Sequence, residues 1–108
     1  MNTIIEKKIS ELVNKHDIII FMKGSREQPQ CGFSNTVIQI MNNLSIHYHT
    51  VNVLEDIQMR QGIKEYSNWP TIPQVYIKGQ FVGGTDILVE QYQNKQLHEM
   101  VEMIKGSL

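Results

Sequence analysis

The chain has 108 residues, of which 41% are hydrophobic and 19% are charged, and its formal net charge is -1. This length and composition suit one domain with a core of its own, so we expect residues 1–108 to form a single domain. The chain has no block of Lys and Arg, which argues against nucleic-acid binding. Its longest apolar run, Ile18–Met22, is far too short to span a membrane.

The first part of the chain predicts a helix, a strand and a second helix. Apolar residues at positions 4, 5, 9, 12 and 13 give the amphipathic pattern of a helix over Thr3–Lys15, with Asn2 or Thr3 as its cap. The run Ile18–Met22, rich in β-branched residues, is typical of a strand covered on both faces. A polar loop then leads into apolar residues at helical spacing over 33–43.

The remainder predicts three shorter strands and further helices. Alternating residues predict a strand over 47–53, and apolar spacing predicts a helix over 56–67. A third strand is predicted over Gln74–Ile77 and a short fourth one over 81–82, joined by a tight turn. Residues 86–105 are then mostly helical, in two pieces that divide near Asn94.

This order of elements predicts an α/β fold. The opening strand–helix–strand unit requires a parallel crossover, and the tight turn between the last two strands requires an antiparallel hairpin. We therefore expect a small mixed sheet with helices on both faces. Cys31 follows the first strand and opens a helix, which places it at the carboxyl edge of the sheet, where α/β folds tend to bind ligands.

Cys31 is the only cysteine in the chain. A free cysteine often packs as a small buried hydrophobe, but the neighbours Gln30, Gly32 and Ser34 are polar or small. At the start of a helix, unpaired N–H groups and the helix dipole favour the thiolate, and Lys23 on the same edge adds positive charge. We therefore expect the pKa of Cys31 to lie below that of free cysteine.

A reactive thiolate needs a second thiol to react with. In C-x-x-C proteins a cysteine three residues further on closes a disulfide, but that position is Ser34 here. The second thiol must come from a small molecule, a second copy of the chain or another protein. One cysteine, and an N-terminus without the pattern of an export signal, predict a reducing, cytoplasmic location.

Three segments carry a family resemblance: "KGSREQPQCGFS", "NWPTIPQVYIKGQFVGG" and the "TDI" that follows. Together they resemble the monothiol glutaredoxins of the CGFS type, along essentially the whole chain. The resemblance implies a thioredoxin/glutaredoxin-like fold with a four-stranded mixed sheet flanked by helices. It also implies binding of glutathione, a tripeptide with two carboxylates, one ammonium group and one thiol.

The resemblance assigns most of a glutathione site. It implies that Lys23 and Arg60 lie near the glycine carboxylate of the ligand. Thr71, Ile72 and Pro73 would form a turn with a cis peptide bond before the proline, which leaves the backbone of Ile72 free to pair with the ligand like an added strand.

The other end of the ligand would meet the last helices. Gly83 and Gly84 would let the chain turn closely, and the N–H groups of Thr85 and Asp86 would receive the γ-glutamyl carboxylate. The Asp86 carboxylate would take the ligand's ammonium group. Phe33 would form a wall of the site.

Four residues have an interpretation of their own. Many relatives carry a cysteine where this chain has Thr85, so an internal disulfide between that position and Cys31 is excluded here. Trp69 is interpreted as a packing residue beside Pro70. His47 and His49 are predicted to share one face of a strand, without a third residue to complete a metal site.

Two functions from different classes fit the lone cysteine. In the first, two chains and two glutathiones supply the four thiolates of a [2Fe–2S] cluster, and the homodimer passes this cluster to apo iron–sulfur proteins, with BolA-like proteins as family partners. In the second, Cys31 is the nucleophile of a glutathione-dependent thiol–disulfide oxidoreductase, weakly active at most. A scaffold that uses the glutathione site only for dimerisation is a third option.

Overall fold

The structure is a computed structural model that describes residues 2–106. Its helices and strands are α1 (Thr3–Lys15), β1 (Ile18–Met22), α2 (Gly32–Asn43), β2 (His49–Asn52), α3 (Ile57–Ser67), β3 (Gln74–Ile77), β4 (Gln80–Gly83), α4 (Thr85–Gln93) and α5 (Gln96–Gly106).

The four strands form one mixed sheet in the order β2-β1-β3-β4. β1 pairs with β2 in parallel, and β3 pairs with β4 as an antiparallel hairpin, so both predicted pairings are confirmed. β1 and β3 pair antiparallel. This last pairing brings the end of β1 next to the start of β3, and so brings the segments around Cys31 and Pro73 to one edge of the sheet.

Helices cover both faces of the sheet, as the apolar run of β1 predicts. Ile18, Ile20 and Met22 point to the face covered by α2, α4 and α5, whereas Ile19 and Phe21 point to the face covered by α1 and α3. This alternation follows from the two-residue period of a strand. Burial on both faces fixes β1 as the central element that carries the site at its carboxyl end.

Polar side chains set where several helices begin. The Ile4 N–H donates to Oδ1 of Asn2 at 2.8 Å, and the Met59 N–H donates to Oδ1 of Asp56 at 3.1 Å. Each bond satisfies one of the free N–H groups of a first helical turn. Asn2 and Asp56 are therefore the caps of α1 and α3. The last helical stretch divides at Asn94, as predicted, where Lys95 adopts a positive φ of 71°.

β2 is shorter than the predicted strand over 47–53. Asn52 caps a single 3-10 turn that starts at Val53, because its Oδ1 accepts a hydrogen bond from the Leu54 N–H. His47 lies before the strand, so the prediction that it shares a strand face with His49 is wrong. His49 instead stacks on His16, with ring centres 3.9 Å apart. Between residues 2 and 106, none of the helices is both long and apolar enough to cross a bilayer.

Candidate functional site

Cys31 occupies the N-cap position of α2, directly after the loop that follows β1. Its backbone is extended, with φ -150° and ψ 137°, which is usual for a cap residue. The thiol is free and partly exposed. The predicted position at the carboxyl edge of the sheet and the start of a helix is confirmed.

The main chain of Lys23 holds both sides of Cys31 in place. The Lys23 N–H donates to Oγ of Ser34 at 3.2 Å, and the Lys23 carbonyl accepts from the Gln30 N–H at 2.9 Å. Ser34 is fully buried. The residue at the position of a second cysteine therefore has a structural role, which the sequence did not reveal.

The surroundings of Cys31 lower the pKa of its thiol. The main cause is the backbone N–H of Ser34, with the Phe33 N–H and the positive charge of Lys23 acting in the same direction and partial desolvation opposing them. Neither N–H makes a close capping hydrogen bond to the sulfur. We attribute the effect to N–H groups that face the sulfur at a helix start, a position that stabilises a thiolate.

A cavity of about 480 Å³ opens beside Cys31. The predicted site residues that line it are Lys23, Cys31, Phe33, Thr71, Ile72, Pro73, Gly84, Thr85 and Asp86. They come from four separate parts of the chain, which the sheet brings to one edge. Phe33 is 63% exposed, which agrees with its predicted position in a wall of the site rather than in the core.

Arg60 is absent from the cavity wall among the described residues, and Lys64 lies there instead. Both belong to α3 and are four residues apart, so they share a face of the helix. Lys64 was not among the predicted site residues, although its spacing from Arg60 places it on the same face of α3. Trp69 also lines the cavity, is 41% exposed and tilts against the Phe81 ring at 6.0 Å, so it is more than a packing residue.

The turn before β3 contains the predicted cis peptide bond, between Ile72 and Pro73. Gln74, which is fully buried, supports this turn. Its Nε2 donates to the carbonyls of Trp69 and Thr71, at 3.2 and 3.3 Å. The side chain of Ile72 packs in the core beneath, so its main chain is what this residue offers to the cavity.

The start of α4 closes the opposite side of the cavity. Gly83 has a φ of +149°, and a Cβ on Gly84 would lie 3.2 Å from the carbonyl oxygen of Pro73. The positive φ explains Gly83, and the close approach explains Gly84. The first bond within α4 runs from the Leu88 N–H to the Gly84 carbonyl, so the earlier N–H groups of the helix, including those of Thr85 and Asp86, are available to an anion.

Few side chains of this chain are placed to bind a metal ion together. Throughout the part of the chain that the structure describes, no group of three or more His, Cys, Asp and Glu side chains could hold a metal ion. Cys31 is the only thiol. A metal centre at this site needs ligands from outside the chain.

Comparisons with known proteins agree with the fold. The family profile "Glutaredoxin" matches residues 18–82. The chain is 55% identical over 107 residues to an uncharacterized monothiol glutaredoxin, ycf64-like, of Synechocystis, covering 99% of this chain and 100% of that protein. It is 53% identical to the chloroplastic monothiol glutaredoxin-S14 of Arabidopsis thaliana, covering 87% of this chain and 54%, about half, of the relative.

A solved structure gives the same fold. The crystal structure of a buckwheat glutaredoxin–glutathione complex superposes with a TM-score of 0.82 over 93% of this chain and 89% of that one, at 22% identity. At this identity the likeness concerns the fold alone, and it confirms the predicted glutaredoxin-like fold. The profile match and the close relatives decide the family: this chain belongs to the glutaredoxins, in their monothiol group.

Proposed function

We propose that this chain binds glutathione in the cavity beside Cys31. The volume of about 480 Å³ lies in the range of small-ligand sites. The wall carries two lysines, Lys23 and Lys64, and one carboxylate, Asp86, next to the free N–H groups of α4. A ligand with two carboxylates, one ammonium group and a thiol matches this arrangement of charges.

Each part of the ligand has a candidate partner. Lys23 and Lys64 would pair with the glycine carboxylate, with Arg60 one turn away on α3. The main chain of Ile72 would pair with the cysteinyl part of the ligand. The N–H groups of Thr85 and Asp86 would hold the γ-glutamyl carboxylate.

The other residues of the cavity wall have candidate roles toward the rest of the ligand. The Asp86 carboxylate would hold the ammonium group of the ligand. Phe33 and Trp69, both exposed beside the cavity, would shield the ligand from solvent. The thiol of the ligand would then lie near Cys31.

We further propose that two chains carry a [2Fe–2S] cluster as cargo. The observation behind this is that Cys31 is the only thiol in the chain, lines the cavity and has a lowered pKa. A cluster of this kind takes four thiolate ligands. Cys31 from each of two chains and one glutathione bound to each chain make up this number, so the residues present fit the group.

The proposed binding mode explains why such a carrier would release its cargo. Half of the thiolates would belong to glutathione, which exchanges with solvent. Apo iron–sulfur proteins would receive the cluster, and BolA-like proteins are proposed as partners because the family implies them. A lone thiol that must stay reduced favours a reducing compartment such as the cytoplasm.

Anaerobic reconstitution tests the proposal. Protein, iron, sulfide and glutathione are combined, and the product is followed by visible absorption and size-exclusion chromatography. We expect a coloured dimer with the wild-type chain and a colourless monomer with Cys31→Ser, whose fold should be unchanged by circular dichroism. A Cys31→Ser protein that still took up a full cluster would contradict the carrier function.

The lowered pKa of Cys31 also favours a second candidate, deglutathionylation. The Cys31 thiolate would attack the glutathione sulfur of a protein–glutathione disulfide, and the protein thiolate would leave. The thiolate of a second glutathione would then attack the Cys31–glutathione disulfide, which forms glutathione disulfide and restores Cys31. A colourless monomer that turns over a mixed disulfide at a useful rate would favour this enzyme over the carrier.

A further inference from the structure

The side chain of Thr85 connects the two helices that begin at the cavity. Its hydroxyl donates a hydrogen bond of 3.2 Å to the carbonyl oxygen of Phe33. Thr85 is the first residue of α4, and Phe33 is the second residue of α2. The bond therefore joins the helix that carries Cys31 to the helix proposed to hold the far end of glutathione.

The accepting carbonyl belongs to the peptide group that lies next to Cys31. The carbonyl of Phe33 and the N–H of Ser34 form one planar unit. The first bond of α2 runs from the Asn35 N–H to the Cys31 carbonyl at 2.9 Å, so the Ser34 N–H comes before it and faces the side chain of the cap residue. In α2 this carbonyl already faces the helical N–H of Val37, so the Thr85 hydroxyl is a second donor, which further restrains this plane and the direction of the Ser34 N–H.

The preceding peptide group is held in the same way. The Thr36 hydroxyl donates 3.0 Å to the carbonyl of Gly32, whose peptide group contains the N–H of Phe33. A donor on a carbonyl also polarises the amide and strengthens its N–H as a donor. Both peptide groups with an N–H beside the thiol thus accept a threonine hydroxyl, and of the two threonines Thr85 is the one from another helix.

We propose that Thr85 is a positioning residue, which fixes the Phe33–Ser34 peptide beside Cys31 and ties it to the start of α4. This role of the hydroxyl is separate from that of the backbone N–H of Thr85, and its effect on a ligand rests on the proposed glutathione function. A glutathione that contacts both Cys31 and the start of α4 needs a fixed spacing between them. Without the hydroxyl, glutathione binding has to fix the spacing between Cys31 and the start of α4. This ordering costs free energy and lowers the affinity for glutathione.

Three substitutions separate the hydroxyl from the rest of the residue. Thr85→Val removes the hydroxyl but keeps the branched shape and the backbone N–H, and Thr85→Ser keeps the hydroxyl. Thr50→Val makes the same chemical change in β2, which is separated from β4 by two strands and lies outside the cavity wall. Binding of reduced glutathione to the apo chain is measured by calorimetry.

The loss of one hydrogen bond predicts that Thr85→Val weakens glutathione binding by about two- to tenfold. Thr85→Ser should bind within about twofold of wild type, and Thr50→Val should bind as wild type does. Equal binding by wild type and Thr85→Val would overturn the proposal. So would an equal loss in Thr85→Ser, because the hydroxyl would then not be the group responsible.

A second readout does not depend on glutathione. In amide NMR spectra of the apo chain, Thr85→Val should shift the Ser34 resonance more than the other resonances of α2, and Thr85→Ser should restore it. An unmoved Ser34 resonance would overturn the proposal. If the wild-type chain bound no glutathione, the proposed function would fail, and the NMR result alone would decide the role of Thr85.

Discussion

The guanidinium of Arg26 lies 4.3 Å from the centre of the Tyr48 ring and donates from Nη2 to the Tyr48 carbonyl oxygen at 2.6 Å. The Tyr48 hydroxyl in turn donates to Oδ1 of Asn42 in α2 at 2.7 Å. The loop before Cys31 and the helix after it therefore both contact Tyr48. This contact holds the loop against the residue that precedes the edge strand β2.

Replacement of Arg26 should loosen this loop and destabilise the fold. Arg26→Ala loses a charge-assisted hydrogen bond and a cation–π contact, both partly exposed, so we expect a loss of about 1–3 kcal/mol in the free energy of unfolding. Arg26→Lys keeps the charge but not the planar guanidinium, and should lose less. Urea unfolding measures both variants, and wild-type stability in Arg26→Ala would contradict the role of the contact.

The pH dependence of alkylation tests the environment of Cys31. The Ser34 N–H, the Phe33 N–H and Lys23 lower the pKa of the thiol, so the rate of reaction with iodoacetamide should reach half of its maximum at a lower pH than in free cysteine. The same chain in urea is the control and should show the ordinary midpoint. A folded midpoint at or above that of the unfolded chain would refute the thiolate environment.

The environment of His49 predicts that the free energy of unfolding depends on pH. Desolvation, then the neighbouring His16, Arg26 and Lys15, lower the pKa of His49. A histidine with a lowered pKa binds its proton more readily in the unfolded chain, so stability should rise with pH through the range just below about 6.5 and be fully present above it. His49→Gln should flatten the profile of unfolding free energy in this range.

The matched control for that experiment is His47→Gln. His47 is exposed and lies outside β2, two residues before His49. Its replacement should flatten the profile less than His49→Gln does. Equal flattening by the two substitutions would show that the environment of His49 is not the cause.

The cations around the cavity should contribute unequally to glutathione binding. Lys23 and Lys64 line the cavity and Arg60 does not, so Lys23→Ala and Lys64→Ala should each weaken binding roughly tenfold, and Arg60→Ala roughly two- to threefold. Calorimetric titration of the three variants gives the order. Unchanged affinity in both lysine variants would mean that the ligand lies elsewhere.

The elements and the two outer pairings of the sheet follow from local sequence patterns. The β-branched run of β1, a cap at Asn2 or Thr3, and the break at Asn94 all act within a few residues, so the sequence alone predicts them. The pairing of β1 with β3 does not follow from any such pattern. It depends on how the helices pack on the two faces of the sheet.

The site residues likewise fall into those that a local motif predicts and those whose role depends on the folded chain. The family motif predicted Lys23, Cys31 and the residues around Pro73 and Asp86 because they lie in contiguous segments. The roles of Ser34 and Gln74 were missed, since each bonds to main-chain groups whose positions only the folded chain defines. Lys64 was missed because nothing in the sequence orders the two cations of α3 by their distance from the cavity.

The most direct test of the central claim is the composition of the reconstituted protein by native mass spectrometry under anaerobic conditions. Because Cys31 is the only thiol of the chain, four thiolates require two chains and two glutathiones for each [2Fe–2S] cluster. A single species of that composition is the result we predict. A cluster-bearing species with one chain, or with no glutathione, would contradict the account.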